Sequence, residues 1–202
     1  ETYDSLMISD SAFANVLAAN EWGYKDMLSQ LGQPIDKTEW FMLPQTVNAY
    51  YSPNRNEIVF PAAILQPPFF NINADPAVNY GAIGGVIGHE IGHGFDDQGS
   101  KSDGNGVLRN WWTPEDNAAF VAKTDALVGQ YNAFCPLDNG EACINGRLGL
   151  GENTGDLGGL SMAYKAYKMS LDIDGDGVIS KSEEAPIIDG LTGDQRLFMA
   201  WA

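Results

Sequence analysis

Apolar residues recur at helical spacing between Ser11 and Leu31, at Phe13, Val16, Leu17, Ala18, Trp22, Met27, Leu28 and Leu31. This pattern predicts one or two helices, stopped by Gly32 and Pro34. Trp40 to Leu43 is apolar but short, and Pro44 closes it. Val47-Asn48-Ala49-Tyr50-Tyr51 and Glu57-Ile58-Val59-Phe60 are β-prone runs on either side of Ser52-Pro53-Asn54-Arg55-Asn56, a turn-forming cluster, and together they read as a hairpin. Pro61 and the Pro67-Pro68 pair then interrupt regular structure. Asn79 to Phe95 reads as a helix despite Gly81, Gly84, Gly85, Gly88 and Gly92, each of which costs about 1 kcal/mol against alanine in a helix interior. Only tertiary contacts can hold such a segment helical. Gly84, Gly88 and Gly92 are spaced by four and form a bare stripe against which another backbone can pack.

Asp96 to Asn110 is polar and glycine-rich and reads as a loop. Thr113 as N-cap, Pro114 at the first position and Asp116 at the third predict a helix start, with the helix running to about Phe134. Leu150 to Leu171 places Leu157, Leu160, Tyr164, Tyr167 and Leu171 on one stripe and predicts an amphipathic helix. Phe198 to Ala202 reads as an apolar helix cut short, and the chain opens on Glu1 rather than Met. Both ends suggest a fragment or a processed product of a single domain.

Composition narrows the range of partners. A formal net charge of −16 over 202 residues argues against a nucleic-acid backbone as ligand and against anionic membrane surfaces. No apolar run approaches the roughly 18–20 residues that span a bilayer. Cys135 and Cys143 lie close together in a loop containing Gly, Asn and Pro. They are either a local disulfide, which favours an extracytoplasmic compartment, or two free thiols.

The candidate chemistry centres on Gly88-His89-Glu90-Ile91-Gly92-His93. Positions four apart on a helix lie one above the other, about 5–6 Å apart at Cβ, so His89 and His93 can aim two imidazoles at one ion. They are the chain's only histidines. Glu90 lies beside that face and can reach a water on the ion without being a ligand. Zinc suits such a set, usually with three protein donors and a water. Gly151-Glu152-Asn153-Thr154-Gly155-Asp156 offers the missing donor: Glu152 can complete the site while Asp156, four residues on, accepts the other ring N–H of a histidine. The alternative is a pair of acids that merely stabilise a helix start.

Five segments together resemble the neprilysin and endothelin-converting-enzyme metallopeptidases. They are 47–51, 60–66, 89–97, Trp111-Trp112-Thr113 and 151–156. The resemblance implies an α+β, mainly α fold: a thermolysin-like zincin core with a small β-hairpin and two helices carrying the zinc ligands, incomplete at the C-terminus. It implies zinc held by His89, His93 and Glu152, with Glu90 as general base. It further implies Asp156 and Asp96 as partners of the histidines, Asp156 counting with Glu90 among the catalytic carboxylates. Asn48 and Ala49 match the positions that hold substrate backbone. The implied reaction is cleavage of internal peptide bonds by zinc-activated water. Members of that family are much longer and carry a further histidine and an arginine beyond the point where this chain stops. Poor or absent cleavage by the 202 residues alone is therefore expected, along with association with itself or with the missing remainder.

Asp172 to Glu183 fills the twelve-residue calcium template of EF-hands. Asp172, Asp174 and Asp176 stand at positions 1, 3 and 5, Gly177 at 6, Val178 offers its carbonyl, Ser180 stands at 9, and Glu183 closes the loop. Pro186 leaves almost no exiting helix, so the expectation is one structural calcium in a loop inserted into the peptidase pattern. Asp103-Gly104-Asn105-Gly106 fails the same template, with Lys101 at its first position, and reads as a turn. The competing function is a zinc- and calcium-binding module or processed remnant without catalysis. The presence of Glu90 argues against it, because a binding module has no use for a base there.

Overall fold

The computed structural model describes residues 3–202. The chain divides between Glu39 and Trp40 into two compact units. The first holds α1 (Ala12–Ser29), capped by Ser11, whose side chain accepts a hydrogen bond from the Ala14 N–H. One helix thus forms where one or two were expected. Its apolar positions do not build a core: no residue of α1 is buried, and Phe13 is 80% exposed.

The second unit is mainly helical. Its sheet is one antiparallel hairpin, β1 (Tyr50–Ser52) with β2 (Glu57–Val59), in which Tyr51 faces Ile58. The strands are shorter than the sequence suggests, so Asn48 and Ala49 precede β1 rather than pair within it. A continuous helical stretch follows, made of α2 (Pro76–Asn79), a π turn over Tyr80–Gly84, α3 (Gly85–Gly92) and a 3-10 turn at His93–Phe95. The expected single helix is thus present with a wider turn inside it. Such π turns recur near functional sites.

Two further helices close the core. α4 (Pro114–Asn132) begins as its cap predicts, with Thr113 Oγ1 accepting from the Asp116 N–H at 3.1 Å. α5 spans Leu150–Leu171, and α6 spans Gly193–Trp201 behind a capping box made by Thr192 and Gln195. α6 is longer and better anchored than its apolar end suggests. Leu197 is fully buried and packs with Ala77 of α2 and Tyr167 of α5. Arg196, also buried, donates to Asp75 at 2.8 Å and to the carbonyls of Pro186 and Leu191.

The centre of the unit is α3 against α5. A Cβ on Gly88 would lie 2.6 Å from Gly159 Cα, and one on Gly92 would lie 3.0 Å from Gly155 Cα. Glycine faces glycine on both helices, so the bare stripe meets a backbone. Where α5 meets α3 at Gly155 and Gly159, its buried face therefore carries no side chains. Leu157, assigned to the apolar stripe from the sequence, is 60% exposed, while Tyr167 and Leu150 are almost fully buried. Cys135 and Cys143 form a disulfide across eight positions of the loop before α5. A loop that short contributes about 2.5 kcal/mol on the chain-entropy account.

Candidate metal centre

α3 and its 3-10 extension deliver His89 and His93, and the first turn of α5 delivers Glu152. One donor atom from each lies within 4.8 Å of the others. His89 Nε2 is 3.2 Å and His93 Nε2 is 3.9 Å from the same Glu152 oxygen. The other ring nitrogens are occupied. His89 Nδ1 is 2.7 Å from Asp156 Oδ1, and His93 Nδ1 is 2.8 Å from Asp96 Oδ2. A carboxylate on Nδ1 orients the ring and leaves the Nε2 lone pair for an ion. Both glycines of α5 leave room for His89, because a Cβ at Gly155 would come within 2.9 Å of His89 Nδ1 and one at Gly159 still closer to the His89 backbone nitrogen.

Asp96 is itself fixed. Its Oδ1 accepts the N–H groups of Gln98 and Gly99, each at 2.7 Å. Burial works against its charge, but the bonds from His93, Gly99 and Gln98 win and hold its pKa below the usual value. The hydrogen bond to Asp96 raises the pKa of His93 in turn, against the effect of burial.

Glu90 is 5% exposed and its Oε2 has no hydrogen-bond partner among the described residues. Burial pushes its pKa up, opposed by the attraction of His93 and His89 and by the Tyr51 backbone N–H. A buried carboxylate oxygen without a protein partner, beside three converging donors, fits a metal with its water better than it fits a structural role. The cleft around these groups has a volume of about 820 Å³ and is lined by Asn48, Ala49, Tyr51, Glu152 and the histidines, among others. The Ala49 N–H is held by Asn48 Oδ1 at 2.9 Å.

Three supports escaped the sequence reading: the Tyr51 N–H, the Gln98 and Gly99 N–H pair, and the Gly155–Gly159 face. Only the last left a local signal, since its spacing of four matches that of the stripe on α3.

The calcium template lies elsewhere in the unit. Carboxylate oxygens of Asp172, Asp174 and Asp176 lie within 4.8 Å of one another. Gly177, at φ +82°, makes the turn that the template asks of it. Glu183 does not join the three aspartates. Its Oε1 accepts the Ile173 N–H at 2.7 Å, and its Oε2 accepts the Ser180 N–H at 2.9 Å and the Ser180 hydroxyl. These bonds, the one from the Ser180 hydroxyl foremost, pull its pKa down to about 2. The segment after the loop is a turn, not a helix.

The sequence profile described as Peptidase family M13 matches residues 48–202. An endothelin-converting enzyme homolog of Locusta migratoria is 49% identical over 158 residues, covering 78% of this chain and 21% of that protein. Endothelin-converting enzyme 1 of Homo sapiens is 41% identical over 199 residues, covering 98% of this chain and 25% of that one. Among solved structures, the Mycobacterium tuberculosis zinc metalloprotease Zmp1 in complex with an inhibitor superposes with a TM-score of 0.89 at 52% identity, over all of this chain and 30% of that one. The chain thus spans less than a third of the length of each of these relatives. On the match from Asn48 to Ala202, which takes in every donor of the candidate metal centre, the chain belongs to peptidase family M13.

Proposed function

We propose that the cleft is the active site of a zinc-dependent endopeptidase with a thermolysin-like core. The convergence of His89, His93 and Glu152, with both Nδ1 atoms held by aspartates, is the observation that supports it. Those three residues would hold the ion. When bound, zinc would supply Lewis acidity to a peptide carbonyl and to a water. Glu90 takes a proton from the attacking water at Oε2 and later gives it to the leaving amine. Asp156 and Asp96 keep the imidazoles in the orientation this requires. An extended peptide lies along the segment at Asn48 and Ala49 and gains main-chain hydrogen bonds there. Hydrolysis by the 202 residues alone is weak on this reading, because the zinc metalloprotease that the chain resembles is more than three times as long. The disulfide supports an extracytoplasmic setting. No helix among the described residues is long and apolar enough to cross a membrane.

Elemental analysis is expected to find about one zinc per chain. The Glu152 side chain is 71% exposed, so Glu152→Ala should leave the circular dichroism spectrum unchanged. It should weaken zinc binding by more than the roughly 10–100-fold lost when only a partner of a ligand is removed. Zinc content that survives Glu152→Ala removes Glu152 from the ligand set.

A structural calcium at Asp172–Glu183 is the second part of the reading, supported by the three clustered aspartates and the filled template. Binding requires Glu183 to exchange its N–H partners for the ion. Titration calorimetry should detect one site, absent in Glu183→Ala; unchanged binding in that variant sinks the assignment. In the calcium-free loop the stability that the Glu183 bonds contribute is fully present above pH 4.5 and is lost as pH falls through about 2, where the amide signals of Ile173 and Ser180 should titrate.

A further inference from the structure

A second cavity, of about 460 Å³, lies between the loop 97–112, one face of α4 and the start of α5. It shares Lys101 and Leu108 with the metal cleft, so the two adjoin there. Its floor is apolar. Leu150 is 1% exposed, and Trp112 stacks on Phe120 with ring centroids 5.3 Å apart. Its rim is basic: Lys101, Arg109 and Arg147 against Asp97. In a chain with 11 basic and 27 acidic residues, three cations around one cavity are a local concentration of basic side chains.

The three cations are not equivalent. Arg109 is paired with Asp103, and Arg147 with Asp125 at 2.6 Å. Lys101 Nζ instead donates to the neutral amide oxygen of Gln98 at 2.8 Å. Its charge is therefore uncompensated by that partner, and it stands on the wall shared with the metal cleft. Leu108, on the same wall, is 77% exposed and offers an apolar ledge from one cavity to the other.

We propose that this cavity is a distal subsite of the peptide cleft. It takes a large apolar side chain of an extended peptide, and Lys101 selects for a carboxylate on the adjoining residue. The proposal rests on the peptidase reading of the metal cleft. Residues of an extended chain advance about 3.3 Å each, so a lysine at the shared wall is within reach of the neighbour of the inserted side chain.

The test uses the zinc-loaded chain carrying Glu90→Gln, which prevents turnover, and fluorescence anisotropy with short labelled peptides of Ala and Gly. Each peptide carries Glu-Phe, Gln-Phe, Lys-Phe or Glu-Ala, and the pair is moved one residue at a time. In one register Glu-Phe should bind about threefold to fivefold tighter than Gln-Phe, the scale of an exposed ion pair. It should bind about tenfold or more tighter than Glu-Ala, from burial of the ring. Lys101→Gln should erase the first preference and keep the second; Val121→Trp, which fills the cavity, should erase the second and keep the first. Both variants should keep their zinc. Equal affinities for Glu-Phe and Gln-Phe in every register, or preferences that persist in both variants, overturn the proposal. A parent chain, with Glu90 in place, that holds no zinc and binds none of the peptides overturns the peptidase reading and the subsite with it.

Discussion

Gly88→Ala is expected to destabilise the second unit and to weaken zinc binding in the same step. The added methyl would lie 2.6 Å from Gly159 Cα and an equal distance from its carbonyl oxygen, where carbon contacts need about 3.5–4 Å. Both atoms are backbone, so no rotamer change relieves the clash and α3 must move away from α5. Overpacking of this kind costs roughly 1–3 kcal/mol, and more when backbone must shift. Alanine's better helix propensity returns up to about 1 kcal/mol, which does not offset it. Because α3 carries the histidines and α5 carries Glu152, the displacement also separates the donors. Gly158→Ala is the control: a Cβ there meets nothing within 4 Å, so the propensity gain stands alone and stability should rise slightly. The check is thermal unfolding and zinc affinity of the two variants side by side. A Gly88→Ala chain as stable and as zinc-avid as the parent would show that the glycine contact does not position the site.

That contact also marks where reading from sequence reaches its limit. The His89–His93 and Glu152–Asp156 pairings are local, set by one helical turn each, and their spacing is legible without any fold. The bounds of α5 were legible for the same reason, since its apolar residues repeat at helical period up to Leu171. Four residues of the predicted stripe, Leu160, Tyr164, Tyr167 and Leu171, do pack in the core with Ala77 and Leu197. The part of α5 that meets α3 was not legible, because hydrophobic patterning counts side chains and that part is made of their absence at Gly155 and Gly159. Leu157 falls on the apolar stripe by spacing and lies in solvent. The start of α6 was hidden behind the polar cap Thr192–Gln195, and the π turn at Tyr80–Gly84 has no compositional mark. The N–H groups that brace Glu90 and Asp96 are backbone, and no residue type announces them.

Glu90→Gln should retain zinc and lose hydrolysis in any form of the chain that turns peptide over. Glutamine keeps the size of the side chain and can still accept the Tyr51 N–H, so the cleft should hold its shape. Glu90 is outside the group of three converging donors, and its replacement leaves that group intact. What it removes is a group able to take a proton and return it. Burial makes the Glu90 carboxylate a stronger base than a solvated one, and the absence of a partner on Oε2 leaves that oxygen available to a water. Loss of a positioned general base costs about 10²–10⁴ in rate. The effect should fall on kcat, with peptide affinity nearly unchanged, because the water's proton moves only in the transition state. Elemental analysis and turnover of a quenched peptide mixture, measured on the same preparation, separate the two roles. Turnover within tenfold of the parent would leave the buried oxygen without its assigned task, and loss of zinc would make Glu90 a structural part of the metal centre rather than its base.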